Sequence, residues 1–523
     1  MAVTDGKVKT SKNLERNSDW LSQELGVDRS FDVIRRDINI ANRKAAIFFI
    51  DGFIKDSVME RVLSVLNTID PQEIRPSAFK KIFQKYLTYI EVETTDDLHE
   101  VVDKVLAGPA ALLIDGIDEV IIIDAREYPI RNPEEPNLER VIRGSRDGFV
   151  ETIVFNTALI RRRIRDPKLR MEMLQVGSRS KTDVCVCYIE DIASPKLVEM
   201  VKEKIANIKI DGIPMAEKSI EELIAPGSYW NFFPKVRYTE RPDVAANHLL
   251  EGHVLIIVDT SPSIMILPAT LWHHLQHAEE FRQSPTLGVF IRWLRYAAVF
   301  LSVFLMPTWL LFASNPQYLP EMLKFIGPSK PGKINLAVQF LLAEMGINLM
   351  RMAAIHTPDA LTTSLGIIAA VLIGDVAISV GLFSPEVVLY TAIAAVSIFA
   401  TPSFELGAAN TLLRIMLLVG TGLFGLAGFL GAAVIVFLIL LTTKSFGVPY
   451  LWPLIPLNIR ALRDIFVWPP VPAISLRIFA PHYRDKTRQA SPVGAYAKPI
   501  PEEMPEVKKP RRKNRKKRKI IKL

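Results

Sequence analysis

Three stretches of the chain, 296–313, 387–404 and 415–443, contain no charged residue. Each is close to the roughly 20 residues that a helix needs to cross the hydrocarbon of a bilayer. The C-terminal half is therefore expected to be an all-α polytopic membrane domain, and the chain an integral membrane protein. Charges instead crowd the first 290 residues and the last 60 of the 523, which is ample length for more than one domain.

Four spans follow from the apolar runs, at about 293–313, 364–384, 386–405 and 413–442. The flanks WLRY and WPLIPLNIRALRDIFVWPP carry the Trp, Tyr and Arg expected at a membrane interface. A fifth apolar segment, 334–350, is short and interrupted by Glu344, and reads as a re-entrant or interfacial helix. The polar start of the chain, MAVTDGKVKTSKNLERNSDWLSQELG, lacks the apolar core of a signal peptide. The front region is thus expected in the cytosol, with 1–29 a flexible N-terminus. The tail KKPRRKNRKKRKIIKL (508–523) holds eleven basic residues and no acid, within a net charge of +8 for the whole chain. Arg511, Arg512, Lys513, Arg515, Lys516, Lys517, Arg518 and Lys519 form a cluster suited to the anionic cytoplasmic leaflet, and on a membrane protein lipid is favoured over nucleic acid. The tail follows a proline- and charge-rich stretch, so 471–523 reads as a disordered linker and cytosolic tail. With both ends cytosolic the number of crossings must be even, and four satisfies this.

LGIIAAVLIGDVAISVGLF (365–383) places a single acid, Asp375, in an apolar run. An isolated acid at the bilayer centre costs at least about 2.5–3.5 kcal/mol, so such residues usually face a bundle interior or a wet path. Glu344 and Arg351, with Glu405 and Arg414 near span ends, are the companions that can share that path, and a structural pair between Asp375 and Arg351 is the competing reading. In the last span VGTGLFGLAGFLG supplies Gly420, Gly425, Gly428 and Gly431, small residues that allow close helix packing within the chain or between subunits.

The front region reads as an α/β fold of two similar subdomains, 30–150 and 151–290, before a membrane domain over 291–470. KAAIFFIDG and the helical pattern after it recur as DVCVCYIED with its own helix, and AALLIDGIDEVIIIDARE recurs as HVLIIVDTSPSIMILPAT. The offsets are about 139 and 144 residues and fall in the same order. Cys185 and Cys187 read as core residues of a strand. His273, His277 and Glu280 in HHLQHAEE share one face of a helix, a half-site for a metal that nothing nearby completes, so no metal is expected. Phosphate-loop, dinucleotide-binding, HExxH and GxSxG signatures are missing, which points away from an enzyme and from any cofactor.

The block 131–164 contains Glu135, Pro136, Glu139, Arg143, Gly144, Arg146, Gly148, Phe149, Glu151, Asn156 and the run Arg161, Arg162 and Arg163. Its arginines need acids, phosphates or solvent, and Glu135, Glu139 and Glu151 are at hand. EEPNLERVIRGSRDGFVE, NTALIRRRI, then FFPKVRYTERPDVAANHLLEGHVLIIVDTSPSIMILP with Glu240, Arg241, Pro242 and Asp243, and finally KSFGVPYLWPLIP resemble in order the signatures of the spore germinant receptor A-subunit family. The resemblance covers about 30–470.

That resemblance implies a protein of the spore inner membrane, with a two-part cytosolic N-terminal region and a helical membrane domain. It implies assembly as a pentameric channel passing monovalent cations in germination, alongside other spore membrane germination proteins. Receptor members bind germinant through the N-terminal region, whereas one branch is read as an accessory channel that amplifies ion release without a nutrient ligand. Receptor members generally show an uncharged polar residue where this chain has Asp375. In a pentamer Asp375 would form a ring of five carboxylates, the usual device of a cation path. A non-conducting scaffold that gathers germination proteins is the alternative. A secondary transporter is disfavoured by the lack of a repeat among the spans.

Overall fold

The computed structural model describes residues 8–467 except 73–81, 83–85, 87–91, 127–138, 140, 226, 228–229, 324–325, 330–331, 357–365 and 367–374, and then 476–477 and 484–488. The described part is an α/β front region joined to a helical bundle, the fold class that the sequence predicts.

The front region holds two five-stranded antiparallel sheets. The first contains β1 (Val33–Ile40), β2 (Arg43–Ile50), β3 (Val92–Thr95), β4 (Ala110–Ile114) and β5 (Val120–Ile123), in the order β1-β2-β4-β5-β3. The second contains β6 (Leu169–Val176), β7 (Thr182–Ile189), β8 (Arg237–Thr239), β9 (Val254–Val258) and β10 (Ile264–Leu267), in the order β6-β7-β9-β10-β8. The two orders are the same, which is the repeat seen in the sequence. In the first unit the sheet packs against α1 (Leu14–Leu25), α2 (Asp56–Asn67) and α3 (Leu98–Ala107). In the second it packs against α4 (Ile153–Arg163), α5 (Pro195–Ala206), α6 (Ala216–Ile224) and α7 (Pro242–Leu250). Helix α1 corrects the expectation of a flexible 1–29: Asn13 caps it by accepting from the Arg16 N–H, and Leu14, Leu21 and Leu25 enter the first core. Cys185 and Cys187 are buried in β7.

A buried ion pair ties the units together, beside the more exposed pairs Arg29–Glu190 and Lys168–Glu24. Arg161 of α4, fully buried, donates Nε to Asp32 Oδ2 at 2.8 Å and Nη2 to Asp32 Oδ1 at 3.1 Å. It also reaches Ser30 Oγ and the carbonyls of Asp166 and Leu169. A cavity of about 670 Å³ opens beside this joint, between Val27–Phe31 and β6, β7 and α5.

Short α8 (Leu271–His274) leads to the bundle, formed by α9 (Pro285–Ser314), α10 (Leu336–His356), α11 (Pro385–Phe399) and α12 (Phe404–Thr442). Helices α9, α10 and α12 are long and apolar enough to cross a bilayer, and α11 is a shorter apolar helix. Within α12, Gly425 has φ 58° and ψ −132°, a conformation open essentially to glycine alone. A Cβ on Gly420 would lie 2.8 Å from the Gly428 carbonyl oxygen and 3.3 Å from the Ala432 Cβ. In an unbroken helix, eight residues span about 12 Å. Helix α12 is therefore a hairpin: 404–424 runs outward, Gly425 turns, and 426–442 returns. Leu413 and Leu417 of the first arm meet Ala432 and Val436 of the second.

Contacts at the helix ends give each arm a direction. On the side of the front region, His274 Nδ1 lies 3.3 Å from Ser403 Oγ, and Asn231 donates to Thr443 Oγ1 at 2.7 Å. Arg351 sits over the rings of Phe399 and Phe404 on the same side. On the far side, Gly425 lies by Asn315, Gly422 by Ala337, and the Lys333 N–H donates to the Gly381 carbonyl. Thus α9 runs out, α10 back, α11 back, and α12 out and back. The described residues make five passages, and α9 begins, and the returning arm of α12 ends, on the side of the front region.

The described passages differ from the four expected spans in three respects. The segment 334–350 is part of a full passage, 413–442 is the larger part of a hairpin, and 386–405 ends at Phe399 because Pro402 and the Ser403 cap start a new helix. Of the predicted span 364–384, residues 364–365 and 367–374 lie outside the described residues, and 375–384 holds the short helix Ala377–Ser379 and a turn before α11. Beyond the bundle, β11 (Lys444–Ser445) and β12 (Val448–Pro449) pair as a hairpin, and α13 (Ile459–Phe466) follows. The expected disordered stretch after 470 has described parts that clasp the second unit. Arg477 Nε donates to the Leu250 carbonyl at 2.7 Å, and Arg488 pairs with buried Glu251.

The hairpin makes a topological prediction. Cys185 and Cys187 are buried, so in oriented vesicles an impermeant thiol reagent on the front-region side should label Lys444→Cys and leave Leu426→Cys unlabelled. Labelling of Lys444→Cys from the opposite side alone would show α12 to be a single passage.

Candidate functional site

The charges in the bundle fall into two groups. Glu344 of α10 and Arg414 of α12 are both buried and form a two-pronged pair, Arg414 Nη2 to Glu344 Oε1 at 2.5 Å and Nε to Oε2 at 3.0 Å. Arg414 Nη1 also donates to the Ser302 carbonyl of α9, and Asn348 Nδ2 donates to Glu344 Oε1 at 2.8 Å. Glu344 is thus neutralised by a guanidinium, which is why a helix carrying it can cross. Asp375 differs: it is exposed, on the far side, just before the helical turn Ala377–Ser379, and has no ion-pair partner among the described residues. Arg351 stacks on Phe399 and Phe404 at the opposite end of the bundle, so the two do not form the structural pair considered from sequence.

Glu405 sits in the first turn of α12, where the helix dipole favours an anion, and accepts from Ser403 Oγ at 2.8 Å. Glu405, Ser403, His274, Arg237 and Glu139 line a small cavity of about 40 Å³ between the second unit and the α11–α12 loop. This places one sequence-predicted path residue where the front region touches the membrane helices.

The signature residues of the front region build that contact surface. Buried Arg241 donates to the Glu139 and Ser145 carbonyls at 3.2 and 2.9 Å and pairs with Asp243. Asn156 clamps Val150 through both of its backbone groups, and Phe149 is buried with its N–H on the Glu240 carbonyl. Glu139 accepts from Arg237 at 2.9 Å and Thr239 at 2.6 Å, and Arg163 pairs with Asp147. The block 139–151 is therefore a strap laid over the second unit. Its partners are not those expected: Arg161 takes Asp32 and Arg163 takes Asp147, while Arg143, Arg146 and Glu151 are exposed. Pro242 opens α7, and Arg162 is exposed. Gly144 and Gly148 lie within the strap, whereas Glu135 and Pro136 lie outside the described residues. Of the glycines, Gly420 and Gly428 meet, Gly425 turns the chain, and Gly431 faces open space. Residues 508–523 also lie outside the described residues.

The histidine reading needs correction. HHLQHAEE is not one helix: His273 lies within α8, which ends at His274, His277 caps a 3-10 turn Ala278–Arg282, and Glu280 receives Arg292 and Arg295. His273 joins a buried row that sequence spacing gave no sign of. His248 Nδ1 donates to the Val244 carbonyl at 2.8 Å, and His253 Nδ1 to the His248 carbonyl at 3.1 Å. The His273 Nδ1 accepts the Thr270 N–H at 3.0 Å, so its Nε2–H donates to His253 Nε2 at 3.2 Å. These bonds fix neutral rings. Burial drives the pKa of His253 down to about 4 and those of His248 and His273 well below the usual value, with Arg237 adding to the effect in each. No cluster of three or more metal-ligating side chains occurs among the described residues.

Residues 19–478 match the family profile described as Bacillus/Clostridium GerA spore germination protein. Stage V sporulation protein AF of Bacillus subtilis is 47% identical over 483 residues, covering 92% of this chain and 98% of that protein. Spore germination protein KA of Bacillus subtilis is 29% identical, covering 92% of this chain and 89% of that protein. The crystal structure of the N-terminal domain of the A subunit of the Bacillus megaterium spore germinant receptor GerK3 aligns with 51% of this chain and 98% of that one, at 27% identity and a TM-score of 0.40.

Two measurements test the site. Arg414→Ala or Glu344→Ala should cost about 3–5 kcal/mol by stranding a buried charge, while Glu344→Leu with Arg414→Met should recover most of the loss. Thermal unfolding in detergent distinguishes these. For the histidines, folded pKa values below the unfolded value of 6.5 mean that stability is complete above about pH 6.5 and is lost as pH falls toward 4, because the unfolded chain takes up the protons first. The melting temperature should fall over that window, and the fall should be shallower in His253→Gln.

Proposed function

Since the chain belongs to the Bacillus/Clostridium GerA family of spore germination proteins, we propose that it is an oligomeric cation-channel subunit of the spore inner membrane that acts in ion release during germination. The observation that carries the reading is the contrast between its intramembrane acids. Glu344 is spent on Arg414, whereas Asp375 is exposed on a single chain and has no ion-pair partner among the described residues. A carboxylate turned toward hydrocarbon is costly, so the arrangement we propose turns Asp375 toward water shared with other copies. A ring of carboxylates at a pore favours monovalent cations over anions.

Within this reading Glu344 and Arg351 hold helices and do not line the conduction path. Glu405 lies at the mouth on the front-region side, where it senses the second unit through Ser403 and His274. The front region and both termini face the cytosol. The basic tail at 508–523 binds anionic lipid, and other spore membrane germination proteins are the partners. The channel takes no cofactor, catalyses no reaction and binds no nucleic acid.

Ion flux from potassium-loaded proteoliposomes tests the proposal. The wild type should release potassium, and Asp375→Asn should reduce release about tenfold at unchanged oligomer size. Equal release from the two would remove Asp375 from the path. No release from the wild type, even when reconstituted with its germination partners, would favour a scaffold.

A further inference from the structure

The segment after the bundle carries an apolar surface that neither the strap nor the ion path uses. Leu454, Ile455, Leu457 and Ile459 are all exposed, Leu457 at 63% and Ile459 at 73%. The helix they lead into, α13, turns Ala461, Asp464 and Ile465 inward and leaves Ile459, Arg460, Arg463 and Val467 outward. We propose that residues 454–467 form an in-plane anchor in the leaflet on the front-region side, with the lipid surface itself as partner.

The depth of the segment is set by how α13 docks. Its last carbonyls are taken by one stretch of α9: Arg292 Nη1 donates to Ile465 O at 2.8 Å, Tyr296 OH to Ile465 O at 3.4 Å, and Trp293 Nε1 to Phe466 O at 3.2 Å. The Phe466 ring packs against Trp272, Trp293 and Tyr296 with centroids 5.4, 5.4 and 5.6 Å away. Tyr296 opens the uncharged stretch of α9, so 292–296 lies where hydrocarbon gives way to headgroups. The whole of α9, 30 residues long, spans about 45 Å, the thickness of a bilayer with its headgroup layers. A Trp and Tyr cluster at that level is the usual interfacial arrangement.

Lipid fits the exposed face better than a protein groove does. The outward side of α13 is mixed, with apolar Ile459 and Val467 beside Arg460 and Arg463, whose stems lie along acyl chains while their heads reach phosphates. Arg463 shares Asp464 at 3.0 Å, and Arg460 has no ion-pair partner among the described residues. The apolar surface also continues onto exposed Phe290, Trp293 and Leu294 of α9, a helix already in the membrane. This inference is independent of the channel reading.

The test uses the full chain in nanodiscs, where both faces are open to solution. Leu457→Cys and, separately, Ile459→Cys are labelled with an environment-sensitive fluorophore. Ile142→Cys, on the exposed part of the front-region strap, serves as the water-facing control. Brominated phosphatidylcholine should quench the labels at 457 and 459 at least twofold, with little effect from aqueous iodide, and the control should show the reverse. Iodide quenching at 457 and 459 would overturn the proposal by placing the segment in water. Protection from both quenchers would overturn it in favour of a second copy or another protein.

Discussion

Hydrocarbon tolerates a charged side chain only when something else meets the charge, and much of the bundle's arrangement follows from that constraint. Glu344 and Arg414 are 70 residues apart in sequence, and each alone would discourage its helix from entering lipid. Together, with the Ser302 carbonyl, they pin α9, α10 and the outward arm of α12 at one level. The pair is also directional. A guanidinium offering two parallel donors to a carboxylate fixes rotation as well as distance, so apolar faces that lack a driving force in lipid acquire a defined register. Asp375 is the case the rule leaves over. A single chain offers it no ion-pair partner among the described residues.

The same economy governs the junction with the front region. Arg292 and Arg295 enter the first turns of α9 and converge on buried Glu280, while Arg237 bonds to the carbonyls of His273 and Gln276. Ser445, just after the hairpin, accepts the Ala269 N–H and donates to the Lys235 carbonyl. The front region is therefore fastened at the start of α9, at the α11–α12 loop and after α12. Three fixings on separate passages let a displacement of the second unit reach several helices at once, without a flexible linker to absorb it. The neutral histidine row lies inside this fastening, next to Arg237, whose charge adds to burial in opposing protonation of the rings.

Much of this was legible in the sequence, and the failures are instructive. The repeat was visible because strands buried on both faces write long apolar runs, and two such runs in the same order are hard to mistake. The membrane class was visible from the absence of charge. The number of passages was not, since hydropathy records length and polarity but not direction. Gly425 is one of five glycines in its stretch, and only its positive φ separates a turn from a packing stripe. Glu344 made α10 look too polar to cross because its partner lay on a distant helix. Contacts of that range also hide the Arg161 pair with Asp32, because Glu139 and Glu151 lie nearer to the arginine run in sequence.

The signature motifs carry a related lesson about what a strongly patterned block is for. Arginines clustered with glycines in 139–163 look like a site for phosphate or another anion, yet Arg161, Arg163 and Arg241 each end on an acid or carbonyl of the chain itself. Their work is to hold a strap of irregular backbone, which has no sheet or helix to satisfy its polar groups and must borrow side chains. That strap brings Glu139 to the cavity shared with Glu405. A pattern that reads as ligand chemistry is thus mechanical in this fold: it sets the surface through which the front region meets the membrane helices. The acid with no such duty, Asp375, lies at the other end of the bundle, separated from that surface by the packed helices.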